Sequence, residues 1–518
     1  MTQSAVPPAM RIDLYSHYIK VTRFNAAGKY ALMEYCRTLA QYGMVRVGRN
    51  QFERQMLRVY VATTKDRSEF RFHINEYRDF RQHLSRYGFT DANIELVRHE
   101  MYSPVQVSYP LRDTREPRER QVPILKYLCD PPIEGYSPSK VVTLQTGQGK
   151  TFLGLKAVLN WGVRTVLVIK GMYIDKWIED VEGAYLFKRG DLMVVRGSDH
   201  LRALLELAKS DKLEAKFIIV SLKTMYQYLE AYEEFKDSPQ FPFPVPPEKF
   251  YETLGAGIRL IDEVHQEFHT NFRQDLYTHV PLTISLSATL DSDDKFMNRM
   301  YEIVWPLKIR SPEVPYDKFI VMKGLWYTIN KPEKMRYTNH MKQYSHVKFE
   351  QSIMRHVGCL NNYKNMVASI VQQSYVSVRQ PGQKMLIFFA TVELCTIMRD
   401  HLAALHPNLT VNRYVSEDEY EKLLNADIVV STLQSAGTAV DIPNLRISLM
   451  TVALSSKQAN IQALGRTRKL KDWPDINPEF LFLNCREIDK HRKYAEEKKV
   501  KMDGKVLSFK DIETSFRI

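Results

Sequence analysis

The sequence predicts an α/β protein: two consecutive parallel-sheet lobes behind a small α+β module. Three observations carry this. Short β-branched runs (VVTL at 141–144, TVLVI at 165–169, FIIVS at 217–221, IRLID at 258–262, TISLS at 283–287) alternate with helical stretches. That is the rhythm of a parallel sheet with helices on its faces. It restarts after Gln383 with MLIFFA, a helix over 392–405, LTVNRYV, ADIVVST, ISLMTVA and FLFLN. The first hundred residues instead pair loosely alternating segments with two amphipathic helices, within the size of one small domain.

In chain order, RIDLYSHYIKV at 11–21 reads as a strand. Ala26 to Tyr42 reads as a helix with Leu32, Tyr35, Cys36 and Leu39 on one face. Met56–Thr63 and Glu69–Ile74 read as strands paired around the polar turn KDRS. Asn75–Tyr87 reads as a helix with Phe80 and Leu84 inside and Arg78, Arg81 and Arg86 outside. We expect residues 1–100 to form an accessory nucleic-acid-binding module and 101–120, with Pro104, Pro110 and Pro117, to be a linker. Lobe 1 then spans 121–310, lobe 2 spans 311–485, and 486–518 is a charged tail. Five prolines within 239–247 mark a stiff, irregular surface insertion.

Composition bounds the function. The chain has 518 residues and a net charge of +13, with 44% apolar and 26% charged residues, which excludes wholesale disorder and a small disulfide scaffold. The ends carry the excess: residues 1–120 hold 20 Lys/Arg against 13 Asp/Glu, and residues 461–518 hold 14 against 10. An anionic partner fits this asymmetry. Five scattered cysteines without a CxxC pair indicate a reducing compartment rather than a zinc ribbon. No apolar run is long enough for a membrane span, and the N-terminus lacks the apolar core of a secretory signal, so a cytoplasmic protein without membrane contact is expected.

The chemistry sits at strand ends. Gln145-Thr146-Gly147-Gln148-Gly149-Lys150-Thr151 follows VVTL and opens a helix. Glycines there let backbone amides approach phosphates; Lys150 reaches the β- and γ-phosphates of ATP and Thr151 ligates Mg²⁺. The pattern departs from the usual phosphate loop at its first glycine, which is Leu144 here. Asp262 and Glu263 close the strand IRLI; Asp262 holds Mg²⁺ through water, and Glu263 polarises the attacking water. His265 couples nucleotide state to movement, with Ser287-Ala288-Thr289 as a hydrogen-bond relay. In the second lobe, Gln462 registers ATP, and Arg466 and Arg468 supply the positive charge that phosphoryl transfer requires.

The ordered series TGQGKT, DEVH, SAT, STLQSAGTAVDIP and QALGRTRK resembles superfamily 2 helicases of the DExH type over about residues 110–485. It is most similar to phage UvsW-type recombination helicases and related viral DNA helicases. That resemblance implies two RecA-like lobes sharing one nucleotide. It implies that Gln121 reads adenine and that Lys170, Trp177, Ser221 and Thr224 track a nucleic-acid strand from lobe 1. It further implies that Thr391 and Thr432 hold the phosphate backbone from lobe 2, and that Gly437 and Asp441 link nucleotide to nucleic acid. The family pattern QxxGRxxR places its last arginine on Lys469; either Arg468 serves after a small shift, or Lys469 substitutes without the bidentate fork. The implied activity is ATP-dependent helicase or translocase action on single-stranded, forked or branched DNA, alongside recombination or replication proteins. An RNA helicase, or the motor subunit of a restriction or remodelling assembly, uses the same motor.

Overall fold

Hydrophobic periodicity sets the first sheet. The strand Met10–Leu14 is buried except at Arg11 and pairs antiparallel with Tyr18–Thr22, which pairs antiparallel with Phe70–His73. Ile94–Arg98 adds in parallel on the other side, and the short Ala62–Thr63 closes the far edge. The computed structural model describes residues 9–48, 51–145, 147–236, 238–340, 342–415, 418–436 and 442–518. The helix Ala26–Thr38 starts where the Asn25 side chain accepts the Gly28 N–H, a capping interaction that satisfies an otherwise orphaned donor. It ends earlier than its apolar pattern suggests: Ala40–Arg46 turns into a strand that pairs with Phe52–Val59 as a separate ribbon. The first half of the expected 56–63 strand therefore pairs with 40–42, and only Ala62–Thr63 meets Phe70–Arg71.

The chain divides into two compact units at Val314/Pro315, apart from segments 145–147 and 291–293, which cluster with the second. In the first unit lies a six-stranded parallel sheet in the order Leu192–Val195, Phe217–Ser221, Thr165–Ile169, Ile258–Ile261, Leu282–Ser287, Ser139–Thr143. Its central strands are buried on both faces, which explains their continuous apolar runs. The second unit holds seven parallel strands in the order Val411–Tyr414, Ile428–Thr432, Lys384–Phe389, Leu445–Met450, Glu479–Cys485, Val321–Thr328, Ser508–Arg517. The fold is thus two parallel-sheet α/β lobes with a small N-terminal sheet module, as expected.

Four boundaries differ from the sequence reading. The N-terminal module shares one apolar core with lobe 1, in which Phe70, Phe72 and Phe80 join Val264, Phe268, Tyr301 and Trp305. The linker is strapped along that lobe: Val105 and Val107 donate to the carbonyls of Gly255 and Gly162, and Tyr109 is buried. The proline-rich segment is an integral part of lobe 1, because Phe243 and Val245 are buried around Tyr228. The charged tail forms the helix Asp489–Met502 and then the edge strand of the second sheet.

Candidate active site

The site of lobe 1 lies where the parallel strands end, the place where open α/β sheets gather ligands. The strand Ser139–Thr143 leads into a loop whose Gly147 and Gly149 have φ of 84° and 90°, a conformation that a Cβ would strain. Gly149 precedes the twelve-residue helix Lys150–Trp161, whose first turn presents Lys150 and Thr151. Gln121 is buried and ties this loop down: its Oε1 accepts the Arg118 N–H at 2.9 Å, and its Nε2 donates to the Gln148 carbonyl at 2.7 Å. A Cβ at Gly149 would stand 2.5 Å from that nitrogen. Gln121, expected to read adenine, thus holds the glycine loop in this structure.

Lys150 is mostly buried, with Nζ 3.4 Å from both Glu263 Oε1 and the Leu144 carbonyl. Asp262 and Glu263 follow the strand Ile258–Ile261, and Glu263 has φ of 47°, a left-handed backbone at a non-glycine residue. Such strain persists only where neighbouring structure enforces it, and it concentrates at functional sites. The turn sends the Glu263 N–H back to Asp262 Oδ1 at 2.8 Å. Burial, then the adjacent Glu263 charge, push the Asp262 carboxyl well above its ordinary range, against the opposing pull of Lys150 and the Trp177 hydrogen bond.

His265 lies 2.8 Å from Ser287 Oγ and 3.4 Å from Glu263 Oε2 through its Nδ1. The Ser287 hydroxyl donates to the Thr289 carbonyl at 2.6 Å, so its proton is used there and His265 Nδ1 carries the donor. Burial lowers His265 to about 4, which keeps the imidazole neutral near pH 7. The expected link from DEVH to SAT is therefore a physical hydrogen bond between the ends of two adjacent strands.

The residues assigned to strand tracking fall differently. Trp177 is 2% exposed and donates its indole N–H to Asp262 Oδ2 at 3.0 Å. It faces the carboxylate rather than solvent, which corrects its expected place on a nucleic-acid surface. Thr224 is equally enclosed, its Oγ1 accepting the Gly197 N–H at 2.8 Å, so its expected backbone contact is also corrected. Ser221 is buried at the start of the helix Leu222–Phe235. Lys170 is partly exposed and pairs with Glu267 at 2.8 Å.

In lobe 2, Thr391 accepts the Leu394 N–H at 3.3 Å as the cap of the helix Val392–Leu405. Its hydroxyl donates to Glu350 Oε2 at 2.7 Å, and the Ala390 N–H donates to Glu350 Oε1 at 2.7 Å. Glu350 is fully buried on the helix His346–Arg355, and the motif series gives no hint of it. The available signal is a carboxylate on the apolar stripe of that helix, between Phe349 and Ile353. Thr432 is buried with Oγ1 2.9 Å from Ser435 Oγ. Gln462 sits in the helix Lys457–Leu464, and its carbonyl accepts Arg466 Nε at 3.4 Å. The following turn is bolted to the strand Leu445–Met450 by Ser448 Oγ and Thr467 Oγ1 at 2.8 Å. Arg466 is buried and Arg468 partly so, while Lys469 is exposed and pairs with Asp317 at 3.2 Å. Thr146, Gly437 and Asp441 lie outside the described residues.

The donor set suits magnesium bound with a nucleotide. Among the described residues no group of three or more His, Cys, Asp or Glu is arranged for a metal ion. Mg²⁺ asks for less: it keeps most of its waters and binds through one or two carboxylates plus substrate phosphates. Asp262 and Glu263 are enclosed beside a single lysine, and this excess of negative charge favours a divalent cation. Among the described residues no helix is long and apolar enough to cross a membrane.

No protein-family model and no curated protein matches the chain. Solved structures similar to it include Dbp5 of S. cerevisiae bound to RNA and ADP BeF3, at 11% identity and a TM-score of 0.49, covering 77% of this chain and 90% of that one. T4 UvsW is similar at 12% identity and a TM-score of 0.34, covering 97% and 99%. The Hef helicase domain of Pyrococcus furiosus is similar at 12% identity and a TM-score of 0.44, covering 75% and 99%.

Proposed function

We propose that this chain hydrolyses ATP to drive movement along, or unwinding of, DNA, with single-stranded, forked or branched DNA as its substrate. The observation that carries the reading is the enclosed set of Lys150, Asp262 and Glu263 beyond the carboxyl ends of two strands of one sheet, Ser139–Thr143 and Ile258–Ile261, beside a glycine-shaped loop that opens a helix. A helix N-terminus with two left-handed glycines receives phosphate through backbone amides. Lys150 exchanges its long contact with Glu263 for the β- and γ-phosphates. Glu263, released from the lysine, accepts a proton from the water that attacks the γ-phosphorus. Asp262 and Thr151 hold Mg²⁺, which neutralises phosphate charge when bound. His265 stays neutral and ties the turn that carries Glu263 to the Ser287 strand through its hydrogen bond to Ser287. Gln462 and Arg466 are assigned to the same reaction, with Arg468 or Lys469 as the second cation.

The sequence series supports the helicase reading, and the basic ends support a polyanionic partner. Backbone contacts carry little sequence information, so binding should weaken with salt and vary little with sequence. The test is ATP turnover measured with single-stranded, duplex, forked and four-way DNA and with RNA, at several salt concentrations, beside a strand-displacement assay. We expect DNA to stimulate turnover and forked DNA to be unwound. Stimulation by RNA alone would make the chain an RNA helicase; stimulation without displacement would make it a translocase. Lys150→Ala should reduce stimulated turnover about 100-fold or more. Near-normal turnover of that variant would refute the phosphate-loop assignment.

A further inference from the structure

We propose that Trp177 is a positioning residue for Asp262, its indole N–H fixing the carboxylate in the orientation that receives the divalent cation of the nucleotide. This inference rests on the reading of the site as one for Mg²⁺ and ATP. Each Asp262 oxygen has its own donor: Trp177 Nε1 lies 3.0 Å from Oδ2, and the Glu263 N–H lies 2.8 Å from Oδ1. Two donors on opposite oxygens fix the plane of a carboxylate. They occupy two of its about four acceptor positions and leave the others for a metal-bound water.

The chemistry of the donor matters as much as its place. Indole donates only and carries no charge. It therefore orients the carboxylate without neutralising it, and it cannot compete for the cation. A lysine or arginine in its place would cancel the charge that the cation needs. The indole is itself rigidly held. It is 2% exposed on the helix Ile174–Ala184, in one apolar cluster with Ile174, Val181, Leu167 and Leu260. Leu260 belongs to the strand that carries Asp262, so the same packing fixes donor and acceptor. Trp161 shows the ordinary alternative, with its N–H satisfied by the Leu128 carbonyl at 3.0 Å. Trp177 instead spends its only polar atom on a carboxylate of the site. The strained φ of 47° at Glu263 is what supplies the second donor.

The experiment uses the full chain with Trp177→Phe, which keeps an aromatic ring and removes the donor. Mn²⁺ serves as the probe, titrated by electron paramagnetic resonance in the presence of a non-hydrolysable ATP analogue; binding of the same analogue in EDTA is measured in parallel. Outer partners of metal ligands are commonly worth about 10–100-fold in metal affinity. We expect Mn²⁺ affinity to fall about 10-fold or more, with metal-free nucleotide affinity held within about twofold. The Mg²⁺ concentration for half-maximal turnover should rise in step, while kcat at saturating Mg²⁺ recovers. Unchanged Mn²⁺ affinity in the folded variant would overturn the proposal, and so would an equal loss with and without metal, the mark of a packing role. If thermal melting shows that Trp177→Phe is misfolded, the isosteric β-(3-benzothienyl)alanine at position 177, with sulfur in place of N–H, decides by the same two affinities. A wild-type chain that binds neither nucleotide nor Mn²⁺ would overturn the nucleotide-site reading and the role of Trp177 with it. Loss of Mn²⁺ affinity in the variant alone leaves that reading intact.

Discussion

Two buried carboxylates, one in each lobe, are held against the cost of burying charge by different means. Asp262 has a lysine and a second carboxylate close by, which suits a group that receives a cation. Glu350 has the Ala390 and Thr391 donors, with His346 Nε2 3.7 Å from its Oε1, and burial pushes it up to about 7. Its ordinary value is 4.5, so between about 4.5 and 7 the folded chain keeps a proton that the unfolded chain has released. Stability should therefore fall as pH rises through that window and stay low above it, by on the order of a few kcal/mol. Glu350→Gln keeps an acceptor for the Ala390 N–H and places an amide N–H where the rotated Thr391 hydroxyl accepts it, while removing the titration. Its urea midpoint should match wild type near pH 4.5 and exceed it at pH 8; parallel pH profiles would refute this. Glu263→Gln addresses the other lobe: it should still bind Mg²⁺·ATP in an equilibrium binding assay but lose turnover about 100-fold or more. Loss of binding instead would make Glu263 a structural residue. Local motifs reveal Asp262, Glu263 and His265 because they follow a strand end in the chain, and Lys150 because it opens a helix after a glycine loop. Trp177 and Glu350 reach their partners across 85 and 41 positions, contacts that no local pattern encodes.

Strands buried on both faces were readable, and strands defined by a partner were not. Thr165–Ile169, Phe217–Ser221 and Lys384–Phe389 announce themselves because every position faces core. The helix Val392–Leu405 matches its expected span, since Thr391 caps it and Leu394, Met398 and Leu402 repeat along its buried face. Ser508–Arg517, in contrast, is charged and half exposed, with nothing in its pattern to separate it from a solvated tail. It becomes a strand because Val321–Thr328 offers an open edge, and side chains then secure it: Trp326 Nε1 donates to Asp511 Oδ1 at 3.0 Å, and Thr514 Oγ1 donates to the Trp326 carbonyl at 2.7 Å. The ribbon of Ala40–Arg46 and Phe52–Val59 escapes the pattern for a related reason: Met44, Met56 and Leu57 are exposed on it, so apolar residues there do not mark an interior. Truncation after Asp503 should uncover the Val321–Thr328 edge, and unpaired edges recruit other strands. The truncated chain should melt at least ~5 °C lower and associate on heating, read by calorimetry and light scattering. An unchanged melting temperature would show the last strand to be dispensable.

At the scale of the chain, the first hundred residues and the first parallel-sheet lobe share one core and belong to one compact unit. The joint contains charge as well as apolar surface. Arg71 is 1% exposed; it bonds Glu69 at 2.6 Å and Glu248 at 2.5 Å and stacks on Tyr277, so a module residue neutralises a carboxylate of the lobe. His17 stands 2.8 Å from Thr283 Oγ1 on the strand next to that of Asp262, and Asn75 donates to the carbonyls of Ile303 and Val304. Burial lowers His17 and keeps it neutral, as a buried bridge between hydroxyls requires. Removing one partner of a buried ion pair costs about 3–5 kcal/mol, because the other charge stays enclosed without compensation. Arg71→Met should therefore destabilise the first unit by about that amount while leaving the second unit's unfolding unchanged. Two-step denaturation followed by calorimetry without nucleotide, variant beside wild type, separates the units, since only the transition of the first should move. Deleting residues 1–100 would strip Phe268, Tyr301 and Trp305 of their packing and leave Glu248 without its arginine. We expect that deletion to abolish nucleotide binding through loss of the fold, and not merely to change substrate preference. A soluble deletion variant with wild-type ATP affinity would show that the shared core is an interface between independent domains.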